Sequence, residues 1–178
     1  MVFEFPEQLR KSMQERYKLL ELKGGDPNKF RGTIRVDAKL VAPLRREAKS
    51  GDITWISDAR KEVGSLGQYP GALQYFISGL PFCHMAHYSE RASVMDLSLE
   101  SVEITVRAHY DTRPGGYFDE ILYETRIVSS ESENEIRELV NLAEHDCYVT
   151  NTLSRAAKLQ GNIFLNGTKI METTHHRG

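Results

Sequence analysis

Residues 139–153 read Leu139-Val140-Asn141-Leu142-Ala143-Glu144-His145-Asp146-Cys147-Tyr148-Val149-Thr150-Asn151-Thr152-Leu153. Leu139, Val140 and Ala143, with Ile136 before them, recur at the spacing of an amphipathic helix. Ser132 and Glu135 stand where a capping box would open it. His145-Asp146 breaks the pattern, and a second helical stretch is predicted over 147–158. Cys147 therefore falls at or near a helix start. Free backbone N–H groups and the positive end of the helix favour thiolate there. Asp146 opposes that shift, which leaves the net direction open.

The flanking chain alternates between strand and helix patterns. Val102, Ile104, Val106, Ala108 and Tyr110 share one face of a strand, Pro114-Gly115-Gly116 turns the chain, and Ile121, Tyr123, Thr125 and Ile127 alternate back. Before this hairpin, residues 71–92 form the longest helical candidate. Leu73, Phe76, Leu80, Cys83 and His87 share one face, the apolar first half predicts burial, and Pro81 predicts a kink just before Cys83. Residues 31–41 read as a half-buried strand with Ile34, Val36, Ala38 and Leu40 inward, ended by Pro43. Ser50-Gly51-Asp52 marks a turn into a return strand from Ile53, and residues 57–69 read as a polar loop. Residues 6–22 make an amphipathic helix, opened by Pro6 and stopped at Gly24-Gly25 before a loop at Asp26-Pro27-Asn28. Its Leu9, Met13, Tyr17 and Leu20 are expected to bury against the body or a partner subunit. Asn166-Gly167 between apolar runs predicts a last hairpin. Hairpin-joined strands with a few long helices define an α+β fold, not a doubly wound parallel sheet.

Composition narrows the function. The 178 residues carry 23 basic and 25 acidic side chains, without the basic excess or stripe of a nucleic-acid binder. No apolar run is long enough to span a membrane. The N-terminus has neither a basic n-region nor an apolar h-region, so a cytoplasmic protein is expected. In that compartment Cys83 and Cys147 read as reactive, metal-binding or inert thiols before they read as a structural disulfide.

The stretch around Cys147 resembles the second-cysteine motif of the OsmC/Ohr family, the osmotically inducible and organic-hydroperoxide-resistance proteins. That motif is a helix ending in Ala-Glu, then a cysteine, then Val-(Ser/Thr)-Asn-(Thr/Ala)-Leu. Gln74-Tyr75-Phe76-Ile77-Ser78-Gly79-Leu80-Pro81-Phe82-Cys83 is similar to the family's central helix with its first cysteine, and the 64-residue spacing of Cys83 and Cys147 suits the family. The resemblance covers roughly residues 30–170, and divides the chain into an N-terminal helix (1–25) and a single OsmC-like domain (26–178). It implies an intertwined α+β homodimer, with two long central helices, one carrying Cys83, flanked by antiparallel-dominated sheets. It also implies a thiol-dependent peroxidase without a cofactor or metal. Cys83 would attack an organic hydroperoxide and become a sulfenic acid, Cys147 would condense with it to a disulfide, and a dithiol reductant would reset the pair. Such a bridge needs Cα atoms roughly 4.4–6.8 Å apart.

Two positions depart from the family pattern. In peroxidase members a glutamate precedes the first cysteine on the same helix and pairs with an arginine that stabilises the thiolate. The matching position here is Gln74, which can hydrogen-bond but cannot form the ion pair. Arg45 and Arg46 are the candidate arginines at a suitable distance before Cys83, with Arg31, Arg35 and Arg60 as others. Tyr148 stands where the family often has proline. The alternative reading is an OsmC-fold small-molecule-binding protein without efficient peroxidase activity. A third is tetrahedral zinc on Cys83, His87, His145 and Cys147. Against zinc, His84 and His87 would line the helix interface and His145 would cap a helix C-terminus. Glu131, Glu133, Glu135 and Glu138 read as a solvated helix start, and His175-His176 as a polar tail.

Overall fold

A computed structural model of the chain describes residues 2–22, 30–154, 159–165 and 168–175, the last two stretches by their strand pairing. Glu7–Leu22 forms α1. Pro6 sits just outside it, and its carbonyl accepts the first backbone bonds, from Leu9 at 2.9 Å and Arg10 at 3.3 Å. Leu9, Met13 and Tyr17 are half-buried against the body as expected, whereas Leu20 is exposed.

Asp37–Ala42 (β1), Arg45–Ser50 (β2) and Ile53–Asp58 (β3) pair antiparallel in that order. This corrects the expected strand over 31–41, which starts only at Asp37. It is not half-buried either: every β1 residue is exposed, and Ile34 before it is 90 % exposed. The alternation marks an apolar face correctly, but β1 is an edge strand, and its residues stay exposed among the described residues. Strand β2 carries no apolar alternation; it forms because it is paired on both sides.

A short 3-10 turn at Lys61–Val63 leads to α2, Ala72–Met95, which runs unbroken through Pro81. The expected burial of its first half holds only in part. Leu73, Phe76 and Phe82 in the first half are exposed, while Leu80, His84, His87, Tyr88, Ala92 and Ser93 are buried. Periodicity reports an apolar surface, not which body covers it. The helix ends at Asp96, a left-handed residue with φ 60°, a conformation that aspartate tolerates better than most side chains.

Ser101–Tyr110 (β4) and Phe118–Val128 (β5) make the expected hairpin, with Val102 opposite Ile127 and Val106 opposite Tyr123. Helix α3, Glu133–Asp146, opens on the expected capping box. The Ser132 hydroxyl accepts from the Glu135 N–H, and the Glu135 carboxylate accepts from the Ser132 N–H at 2.9 Å. Cys147 ends α3 and begins α4, Tyr148–Leu153. Leu159–Leu165 (β6) and Thr168–His175 (β7) pair antiparallel, with Leu165 opposite Thr168. The turn residues Asn166-Gly167, the loop from Gly24 to Asn28, positions 155–158 of the second helical stretch, and His176 lie outside the described residues.

The core is built from Tyr88 and Ala92 of α2, Leu97 and Leu99 after it, and Leu139 and Ala143 of α3. Val102, Ile104 and Ile127 pack on it from the hairpin, and Phe5 from the N-terminal segment. It fixes α3 against the second half of α2, the half just beyond Cys83. No helix among the described residues is long and apolar enough to cross a membrane.

Candidate active site

The polar capping of α3 and α4 places Cys147. Its N–H donates to the Glu144 carbonyl at 3.2 Å, and its carbonyl accepts from the Asn151 N–H at 3.0 Å. The Asn151 side chain holds the junction from the other side, donating to the carbonyls of His145 at 2.7 Å and Cys147 at 3.0 Å. The Cys147 sulfur is fully buried and accepts from the Thr150 N–H at 3.4 Å. Asp146, whose charge opposed a thiolate in the sequence reading, is paired with Arg91, whose Nε lies 2.7 Å from it. Arg91 in turn lies over the Tyr17 ring of α1, 4.0 Å from its centre.

Cys83 reaches this junction from α2. Both cysteines are unbridged, and Cys83 is only partly buried. Burial pushes its thiol pKa up, and a hydrogen bond with the Cys147 thiol adds to that; the backbone N–H groups of Val149 and Tyr148 pull the other way. The structure thus places both predicted cysteines at the α2–α4 junction: His84, next to Cys83, bonds the Thr150 hydroxyl, and the Thr150 N–H bonds the Cys147 sulfur.

The supporting residues lie elsewhere. Arg45 holds Asp58 with two bonds, of 2.8 and 3.1 Å, and donates to Gln68 at 3.0 Å. Arg45 and Asp58 are register partners on β2 and β3, and the guanidinium keeps the Asp58 carboxyl below the usual carboxylate range. The Gln74 side-chain oxygen Oε1 accepts from the Gly71 N–H at 2.7 Å, so Gln74 caps the start of its own helix. It stands nine positions before Cys83, about 13 Å along the axis at the helical rise. Arg46 and Gln74 share a cavity of about 880 Å³ with Asp58, Tyr110 and Phe118.

Sequence reasoning missed Asp58, which it placed in a polar loop, and the partner of His84. The His84 Nε2 meets the Thr150 hydroxyl at 2.8 Å. His87 bonds the Glu90 carboxylate at 3.0 Å and lies against the Tyr148 ring, so both histidines do line the helix interface. The exposed His145 ring bonds the neighbouring Asp146 at 3.2 Å. Among the described residues, no group of three or more His, Cys, Asp or Glu side chains is placed to hold a metal ion. The Tyr148 hydroxyl accepts from Arg16 of α1 at 2.7 Å, tying the N-terminal helix to the residue beside Cys147.

A mixed helix and antiparallel-sheet body with two free thiols, one on a long helix and one at the short helix start that packs on it, defines a two-cysteine α+β protein. Residues 65–161, which include both cysteines, match the OsmC-like protein family model, and the chain belongs to that family. The hydroperoxide reductase of Mycoplasma genitalium is 30 % identical over 109 residues, covering 60 % of this chain and 76 % of that protein. The crystal structure of an OsmC-like protein from Mycoplasma pneumoniae is 26 % identical, with a TM-score of 0.62 over 70 % of this chain and 89 % of that one. An organic hydroperoxide resistance protein from Elizabethkingia anophelis shares the fold at 18 % identity, with a TM-score of 0.54 over 71 % of this chain and 90 % of that one. Helix α1 and strands β1–β3 lie outside the matched residues.

Proposed function

We propose that this chain is a thiol-dependent peroxidase that reduces organic hydroperoxides. The observation that carries the reading is the α2–α4 junction, where His84, the residue after Cys83, bonds Thr150 and the Thr150 N–H bonds the Cys147 sulfur, with Cys83 the more open of the two thiols. The Cys83 thiolate attacks a peroxide oxygen and the O–O bond breaks. The alcohol leaves with a proton, and Cys83 is left as a sulfenic acid. Cys147 then displaces hydroxide, which takes the Cys147 proton and leaves as water, and the S–S bond forms. A dithiol reductant restores both thiols by exchange, in the cytoplasm. Arg46 and Gln74 on the cavity wall, and Arg45 behind Asp58, keep the supporting role in this reading. The working form is a homodimer, a reading supported by the uncovered apolar side chains Leu73, Phe76 and Phe82 on α2 and Ile34 and Leu40 on the sheet side.

The test is a thiol count with intact mass after one equivalent of cumene hydroperoxide, with hydrogen peroxide as comparison. Loss of both thiols, faster with the organic peroxide, supports the proposal. Cys83→Ser then abolishes turnover, and Cys147→Ser traps the sulfenic acid. Retained multiple turnover in Cys83→Ser would overturn it. Two thiols left intact would favour the binding-protein reading instead, whose motivating feature is that Gln74 replaces a glutamate and spends its side-chain oxygen on the Gly71 N–H. A small molecule should then co-purify.

A further inference from the structure

Cys83 and His84 are neighbours on α2 where it packs on the Cys147 junction, and the Tyr148 and Val149 N–H groups there favour the Cys83 thiolate. His84 meets the Thr150 hydroxyl at 2.8 Å. The Thr150 N–H in turn donates to the Cys147 sulfur at 3.4 Å. The His84 ring is wholly buried, with the Tyr123 and Tyr88 rings edge-on at 5.1 and 6.2 Å. Its Nδ1 is buried without a hydrogen-bond partner among the described residues. An apolar side chain of similar size would fill this place without stranding a nitrogen, so packing alone does not account for an imidazole here. The bond to Thr150 does. Burial lowers the ring's pKa, so it stays neutral and sets no charge beside the thiols.

We infer that His84 is a positioning residue for Cys147, holding the first turn of α4 through Thr150 so that the Cys147 sulfur stays beside Cys83. The inference rests on the peroxidase reading above, and concerns its second step. There the S–O bond of the Cys83 sulfenic acid breaks, the S–S bond forms, and the Cys147 proton leaves in water. A sulfur displaced by a fraction of its reach loses this competition to any other nucleophile.

The test uses that competition. Reduced full-length protein receives one equivalent of cumene hydroperoxide in the presence of dimedone, and intact mass reads the ratio of Cys83 adduct to Cys83–Cys147 disulfide. Thr150→Val keeps the backbone N–H and the side-chain shape but removes the hydroxyl. It should raise the ratio about tenfold, the scale of one lost hydrogen bond. His84→Phe should do the same, the double variant should go little further, and Thr150→Ser should restore the wild-type ratio. Wild-type ratios in both Thr150→Val and His84→Phe would overturn the inference. So would an equal rise in Thr150→Ser, which would point to general loosening rather than to this bond. Wild-type protein that forms neither adduct nor disulfide would overturn the peroxidase reading, and this inference with it.

Discussion

Oxidising the pair should stabilise the protein, and by how much measures how well the reduced site is shaped for the bond. His84 and Thr150 tie together the turns that carry the two cysteines, so closure should need little movement of α2 or α4. The bridge would span 64 residues of chain. A loop of that length restricts the unfolded state by at most about 4 kcal/mol in the chain-entropy model. For a domain of this size that corresponds to a rise in melting temperature of about 8–16 °C. The assay is thermal unfolding of the stoichiometrically oxidised protein against the same protein in reductant, with Cys83→Ser as the control that should not respond. A smaller rise measures native-state strain directly. An oxidised protein that melts at or below the reduced one, with the disulfide verified by mass, would refute the reasoning. The bond would then form only after α4 unwinds, and the α2–α4 junction would not be a preformed reaction geometry.

Other expectations follow from the same contacts. Leu139→Ala empties a fully buried site in the core that sets α3 against α2; it should cost about 2–5 kcal/mol in urea unfolding, and a loss near zero would mean that this core does not hold the junction. Burial raises the Cys83 thiol pKa in the folded chain, so the unfolded chain releases that proton first and stability should fall as pH rises past the ordinary thiol value of about 8.5. Cys83→Ser should flatten that fall, and an unchanged pH profile would contradict it. A chain beginning at Gly24 loses Phe5 from the core, Tyr17 from under Arg91 and Arg16 from Tyr148. Its melting temperature should drop, and an unchanged one would show that α1 merely decorates the body.

What was legible in the sequence was what is local. The Ser132–Glu135 capping box and the Val102-to-Ile127 hairpin need only neighbours in the chain, and both stand as read. Strand β2 could not be read, because Arg45-Arg46-Glu47-Ala48-Lys49-Ser50 has no apolar face and owes its conformation to two neighbouring strands. Asp58 was lost with it, since its meaning depends on standing opposite Arg45. The motif around Cys147 was legible, but the reasons for its residues were not. Asn151 ties the two carbonyls of the junction, and Thr150 serves a histidine 66 positions earlier. No periodicity encodes that second contact.

The same limit bears on how Cys83 is activated. Burial and the Cys147 thiol both hold its proton on; the two α4 N–H groups oppose them, and the balance lies toward the thiol. A peroxidatic cysteine needs the reverse balance, because the thiolate is the nucleophile. Arg45 is taken by Asp58 and Gln68, and Gln74 by Gly71. Two of the three candidate supporting groups, Arg45 and Gln74, are therefore engaged elsewhere, while Arg46 lines the cavity beside Gln74. Yet the half of α2 that leads into Cys83 presents Leu73, Phe76 and Phe82 to solvent, and the sheet presents Ile34 and Leu40. If the proposed homodimer buries this face of α2, assembly should also change the reactivity of Cys83. The rate of Cys83 alkylation should then vary with protein concentration across the dimerisation range, and a constant rate would show that assembly and thiol reactivity are separate.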